Sequence, residues 1–219
     1  MRALIRNLSA PAEFALVMFL GFGLSFVFQV WSVARHEPIA FTNALFLWSI
    51  IWEMAILGIV LWIGRLRGWS LTTFGSRISW KNTGAGFLLF VVVVLAMAAI
   101  DVPLTHVIHP QEPQITANGL TLPFIILLSL VNPIFEEVLE AGYLIHVLKR
   151  FGMWPAILAS GLLRGILHMY QGAVGAAALF TFGTIFALVY WRWRQLWPLI
   201  VAHALDDFLG LIMLAHRGH

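Results

Sequence analysis

The chain is partitioned into apolar runs long enough to cross a lipid bilayer, and no other feature constrains its fold as strongly. Seven runs are read, over residues 13–34, 41–63, 84–106, 121–148, 153–171, 174–191 and 196–215. Each is near the ~20 residues that an α-helix needs to span a hydrocarbon core. Lipid offers no hydrogen bonds, so the backbone N–H and C=O groups of such runs must pair within the segment, as a helix allows. The expected fold class is therefore all-α: a polytopic transmembrane helix bundle of about seven spans, with a cytoplasmic N-terminus. Residues 1–120 hold three N-terminal membrane helices and their loops, and residues 121–215 hold a helical core of four.

Orientation comes from the thirteen Lys and Arg residues. With the N-terminus inside, the inner segments carry Arg2, Arg6, Arg65, Arg67, Arg77, Lys81, Lys149, Arg150, Arg192 and Arg194, against Arg35 and Arg217 outside. That asymmetry is a positive-inside signal. Trp62, Trp69, Trp80, Trp154, Trp191, Trp193 and Trp197 fall at the inner boundaries, where amphipathic rings anchor helices at the interface. The net charge of +3 does not imply a nucleic-acid partner, because the basic residues punctuate the spans instead of forming one face. With no cysteine, disulfides, thiolate nucleophiles and Cys-ligated metals are excluded. The first run is too long for the core of a signal peptide and reads as a retained helix.

Local signals refine this outline. The basic stretch over residues 65–82 is expected to hold a short helix lying on the membrane surface. The polar segment 109–119 reads as an exposed loop. Asn132-Pro133 predicts a bend or break in the fourth span. A Gln171-Gly172 turn makes the fifth and sixth spans an antiparallel pair, and the Gly and Ala residues over 172–183 predict close helix packing.

An ionisable residue within a span costs at least ~2.5 kcal/mol on insertion scales, so each requires a reason. The first three spans carry Glu13, Glu53, Asp101 and His106. Glu136, Glu137, Glu140, Arg164, His168, His203, Asp206 and Asp207 lie in the fourth, fifth and seventh, while the sixth has no charged residue or histidine. Glu136 with Glu140, Arg164 with His168, and His203 with Asp207 are each four apart, so each pair shares a helix face. One polar site built from three helices is the expectation. At 1.5 Å per residue the estimated depths of these groups scatter from ~10 to ~24 Å, so tilts or a broken helix are needed to gather them.

Carboxylates beside imidazoles suit hydrolysis. A carboxylate can take a proton from water, an imidazole can hold that water, and a second imidazole can donate to a developing oxyanion. The same residue types can bind zinc, with Glu136, His168 and His203 as the ligands, although no His-Glu-x-x-His array is present. Spacing alone does not separate the two chemistries. Intramembrane acids and histidines also serve proton or ion paths, or tie a bundle together without catalysis.

The run Glu136-Glu137-Val138-Leu139-Glu140-Ala141 resembles the Glu-Glu-x-x-x-Arg motif of the CAAX protease and bacteriocin-processing family of intramembrane endopeptidases. Arg164-Gly165-Ile166-Leu167-His168 is similar to the family's Phe-x-x-x-His motif. His203-Ala204-Leu205-Asp206-Asp207 matches its His-x-x-x-Asn or Asp motif, in family order. The resemblance covers about residues 120–212 and makes 121–215 a catalytic core. It implies a glutamate-dependent endopeptidase without a resident cofactor, acting on a peptide or membrane-anchored protein. Glu136 would be the general base, Glu137 its support, His168 the residue that positions water, and His203 with Asp207 the oxyanion pair. The resemblance implies a bacterial cell membrane as the location, with lipid as the surrounding partner and no role for nucleic acid.

Two departures from the family pattern stand out. The motif arginine is Ala141, and the motif phenylalanine is Arg164. One positive charge is missing from the fourth span and another is present on the fifth, which predicts that Arg164 pairs with Glu140 or Glu137. The alternative to an active enzyme is a catalytically inactive scaffold or bacteriocin-immunity protein. A small transporter would favour paired repeats with polar breaks in both halves, a pattern this chain lacks.

Overall fold

A computed structural model describes residues 2–35, 39–109, 115–117 and 119–217. A short helix α1 (Arg2–Arg6) leads into α2 (Ala10–Arg35), α3 (Asn43–Arg67) and α4 (Trp80–Ile108). The fourth apolar run begins as α5 (Leu122–Glu136), widens into a π-helical turn over Glu137–Tyr143 and closes with α6 (Leu144–Leu148). The helices α7 (Met153–Leu167), α8 (Gly172–Trp193) and α9 (Trp197–Arg217) complete the bundle.

Among the described residues, six helical stretches are long and apolar enough to cross a membrane, and Met153–Leu167 is a shorter apolar seventh. Their outward faces carry side chains that water would reject: Phe19 on α2, Trp48 and Ile51 on α3, and Leu88 and Leu95 on α4 are all exposed. Apolar groups outside and ionisable groups inside is the arrangement that a lipid solvent requires. The chain is a multi-pass membrane protein.

α7 and α8 form a tight antiparallel hairpin, α4 packs against α8 and α9, and α5 packs against α3 and α9. The hairpin is close because its contact residues are small. A Cβ on Gly161 would come within 2.3 Å of Thr184 Oγ1, and one on Gly165 within 3.0 Å of the Ala176 carbonyl. Dispersion between backbones at this distance is the main attraction available to helices already in lipid.

The structure alters several local expectations. The fifth span ends at Leu167 and not at residue 171, because Met169–Gln171 form a 3-10 turn before Gly172 opens α8. With 15 residues, α7 is about 22 Å long, short of the ~30 Å hydrocarbon thickness. The stretch after α3 is not a surface helix. Trp69 and Phe74 are buried, with Phe74 on a 3-10 turn (Leu71–Phe74) against Gly142. Trp69 is therefore no free interfacial anchor, as its indole N–H donates to Glu13 Oε1 at 2.9 Å. Within segment 109–119, residues 115–117 are a strand and not an exposed loop. Here β2 (Ile115–Ala117) pairs in parallel with β1 (Ile39–Phe41), Ile39 opposite Ile115. Residues 110–114 and 118 of that segment lie outside the described residues.

Candidate active site

Pro133 lies inside α5, where it cannot donate to the turn before it. The helix does not break there. It runs on to Glu136 and then widens into the π-helical turn, all seven of whose residues are buried. Such widenings are rare and concentrate at functional sites. This one carries Glu137 and Glu140 inward beside Glu136, facing α7 and α9.

Arg164 on α7 is the hub of the cluster. Its Nη2 donates to Glu137 Oε1 at 2.6 Å, and its Nη1 to Glu136 Oε2 at 3.3 Å. Nη2 also lies 2.8 Å from Glu140 Oε2, a charge contact without the alignment of a hydrogen bond. The guanidinium carbon stands 4.7 Å from the ring centre of Phe182 and 5.7 Å from that of Phe186, both on α8. A buried guanidinium gains from such π faces as well as from acids. The approach depends on Gly183, where a Cβ would meet Arg164 Cβ at 3.0 Å.

His203 on α9 faces an acid on each side of its ring. Its Nδ1 is 2.8 Å from Glu137 Oε1, and its Nε2 is 3.5 Å from Asp207 Oδ1 and 3.9 Å from Glu136 Oε2. The edges of Phe182 and Phe186 wall the ring in. His168 ends α7, and its Nδ1 lies 2.8 Å from the Arg164 carbonyl oxygen. A carbonyl can only accept, so that nitrogen carries the proton, and in the neutral ring Nε2 keeps its lone pair. Beyond it, the Tyr170 N–H donates to Gln29 Oε1 at 2.9 Å, anchoring the turn to α2.

The structure thus brings Glu136, Glu137, Glu140, Arg164, His203 and Asp207 into one connected cluster, with His168 joined through the Arg164 backbone. Exposure separates its members. Glu137, Glu140 and Arg164 side chains are 1% exposed or less, whereas Glu136 is 13% and Asp207 is 23% exposed. Among the described residues, Asp206 and Asp101 make no hydrogen bond or ion pair with this cluster. Glu53 joins it through a residue that the sequence did not single out for the site. Asn132 Nδ2 donates to Glu53 Oε1 at 3.2 Å and to Glu136 Oε1 at 3.1 Å. Its spacing four before Glu136 was the available signal.

Residues 118–209 match the family described as type II CAAX prenyl endopeptidase Rce1-like. Over this segment the chain is similar to the CAAX protease family. The match runs from just before α5 into α9 and contains every member of the cluster except Glu53. No curated protein and no solved structure matches the chain.

Set beside the motif of that family, the cluster has its guanidinium on α7, while Ala141 stands at the motif's arginine position on the π-helical turn, buried. Among the described residues no three His, Asp or Glu side chains are grouped to hold a metal ion, so the set Glu136, His168 and His203 does not fit one.

Proposed function

We propose that the protein is an intramembrane endopeptidase that hydrolyses a peptide bond of a membrane-associated protein or peptide through glutamate-activated water. The observation that carries this reading is the difference in exposure within one cluster. Glu136 stands at the accessible edge with His203 Nε2 at 3.9 Å, while Glu137 and Glu140 are sealed behind it against Arg164.

In this reading Glu136 takes a proton from water as its oxygen attacks the scissile carbonyl carbon. His168 holds the water through the Nε2 lone pair left free by its Nδ1–H bond to Arg164. A carboxylate faces each nitrogen of His203, so both nitrogens act as donors, and Nε2 turns to the oxyanion of the tetrahedral intermediate. Asp207, as an acceptor, orients that ring. When the C–N bond breaks, Glu136 returns its proton to the leaving amine, closing the cycle without a net change in the enzyme. Glu137, Glu140 and Arg164 fix the helices against one another. The proposed setting is a bacterial cell membrane; the Lys and Arg distribution supports an N-terminus inside it.

The test is hydrolysis by the purified protein in liposomes, with membrane-anchored peptides in 18O-labelled water, with and without chelator. The expected product carries one 18O in a new C-terminal carboxylate in both samples. Absence of any product from a broad peptide set favours the inactive-scaffold alternative, and a product lost on chelation contradicts the metal-free route.

A further inference from the structure

Glu53 has no place in the mechanism above, yet it is a buried acid on α3, a helix otherwise apolar at that depth. Its one hydrogen-bond partner among the described residues is Asn132, which it meets at 3.2 Å, and Asn132 meets Glu136 at 3.1 Å with the same nitrogen. An amide NH2 has two protons, enough to serve both carboxyl groups. Turning the amide over would set its oxygen against both acids. The orientation of Asn132 is therefore fixed by chemistry as well as by packing.

We infer that Glu53 is a positioning residue for Glu136, acting through the Asn132 amide. The consequence lies in the Glu136 carboxylate. Oε1 takes the Asn132 N–H and Oε2 takes Arg164 Nη1, so donors on two sides hold its plane. Arg164 comes from α7 and Asn132 from α5 itself. Without Glu53, Asn132 loses one of the two acceptors that keep its nitrogen turned inward. α3 lies outside residues 118–209, so the N-terminal helices contribute to the geometry of the reacting group and do not merely enclose it. The kinetic part of this inference rests on the endopeptidase reading.

The experiment compares wild type, Glu53→Leu, Asn132→Leu, the double variant Glu53→Leu/Asn132→Leu and the exchanged pair Glu53→Gln/Asn132→Asp. In the exchanged pair, glutamine donates to aspartate and the tie between α3 and α5 is remade. Position 132, however, no longer has an N–H for Glu136. The expected result is a fall in kcat of roughly tenfold or more for Asn132→Leu and for the exchanged pair. KM stays within about twofold of wild type, and the exchanged pair melts near wild type. Glu53→Leu alone lowers kcat several-fold, and the double variant Glu53→Leu/Asn132→Leu falls no further than Asn132→Leu; wild-type kcat in Glu53→Leu overturns the inference. Recovery of wild-type kcat by the exchanged pair would reduce Glu53 to a structural tie and overturn the inference. A second readout does not need turnover: the infrared carboxylate band that Glu136→Gln removes should shift in Asn132→Leu and in the exchanged pair. An unshifted band overturns the inference, whereas a shifted band in a protein that cleaves nothing contradicts the endopeptidase reading alone.

Discussion

Arg164 Nη2 and Glu137 Oε1 meet at 2.6 Å with both side chains sealed from solvent, and the rest of the cluster is arranged around that pair. A buried pair returns little net stability over an apolar substitute, but removing one partner strands the other at high cost. Arg164→Ala leaves Glu140 without its cation and Glu137 with His203 alone, and the expected loss is about 3–5 kcal/mol in detergent unfolding. Adding Glu137→Gln and Glu140→Gln to Arg164→Ala should regain part of it. Equal destabilisation of the single and triple variants would show that the charges are not coupled.

Close approach of α7 and α8 depends on glycines whose absent side chains leave room for Arg164. A Cβ at Gly183 would stand 3.0 Å from Arg164 Cβ and 3.1 Å from Gly161 Cα. Gly183→Ala should cost about 1–3 kcal/mol through overpacking. Gly58 on α3 has nothing within 4 Å of its would-be Cβ, so Gly58→Ala should be neutral or gain up to about 1 kcal/mol from the loss of backbone freedom. Thermal unfolding of the two variants side by side checks the contrast.

A second polar junction lies away from the candidate site. Glu13 accepts from Arg67 Nε at 2.6 Å and Trp69 Nε1 at 2.9 Å, and more weakly from the Tyr143 hydroxyl at 3.4 Å. It joins α2 to the end of α3 and to the π-helical turn. Glu13→Ala leaves buried donors unpaired and should cost about 1–3 kcal/mol. Tyr143→Phe should cost much less, since its bond is long. Denaturant unfolding followed by tryptophan fluorescence would separate them, and a Tyr143→Phe loss as large as that of Glu13→Ala would contradict this ranking.

Much of the candidate site can be read from spacing, since the three i,i+4 pairs name three helices that do meet. The exchange of Ala141 for Arg164 also points to a displaced positive charge, and Arg164 does touch Glu136, Glu137 and Glu140. What spacing cannot carry is the π-helical turn, because one wider turn leaves no periodic trace in a run that is apolar on most sides. Depths counted along straight helices scatter for the same reason, and because α7 stops at Leu167. Asn132 reads as a companion of Pro133 and Glu53 as an isolated acid, since their bond joins residues 79 apart. Trp69 resembles an interface anchor until its indole partner, Glu13, is seen beneath it. Outward-facing tryptophans such as Trp80 and Trp154 do stay exposed.

The assignment of Glu136 as the base, with Glu137 as its buried support, is tested most directly by single-turnover cleavage with Glu136→Gln and Glu137→Gln, each paired with its melting temperature. Glu136→Gln should lose cleavage by about 10²-fold or more while melting close to wild type. Glu137→Gln should lose stability together with rate, because it strips the closest partner from Arg164 and from His203 Nδ1. Cleavage that persists undiminished in Glu136→Gln would contradict the account.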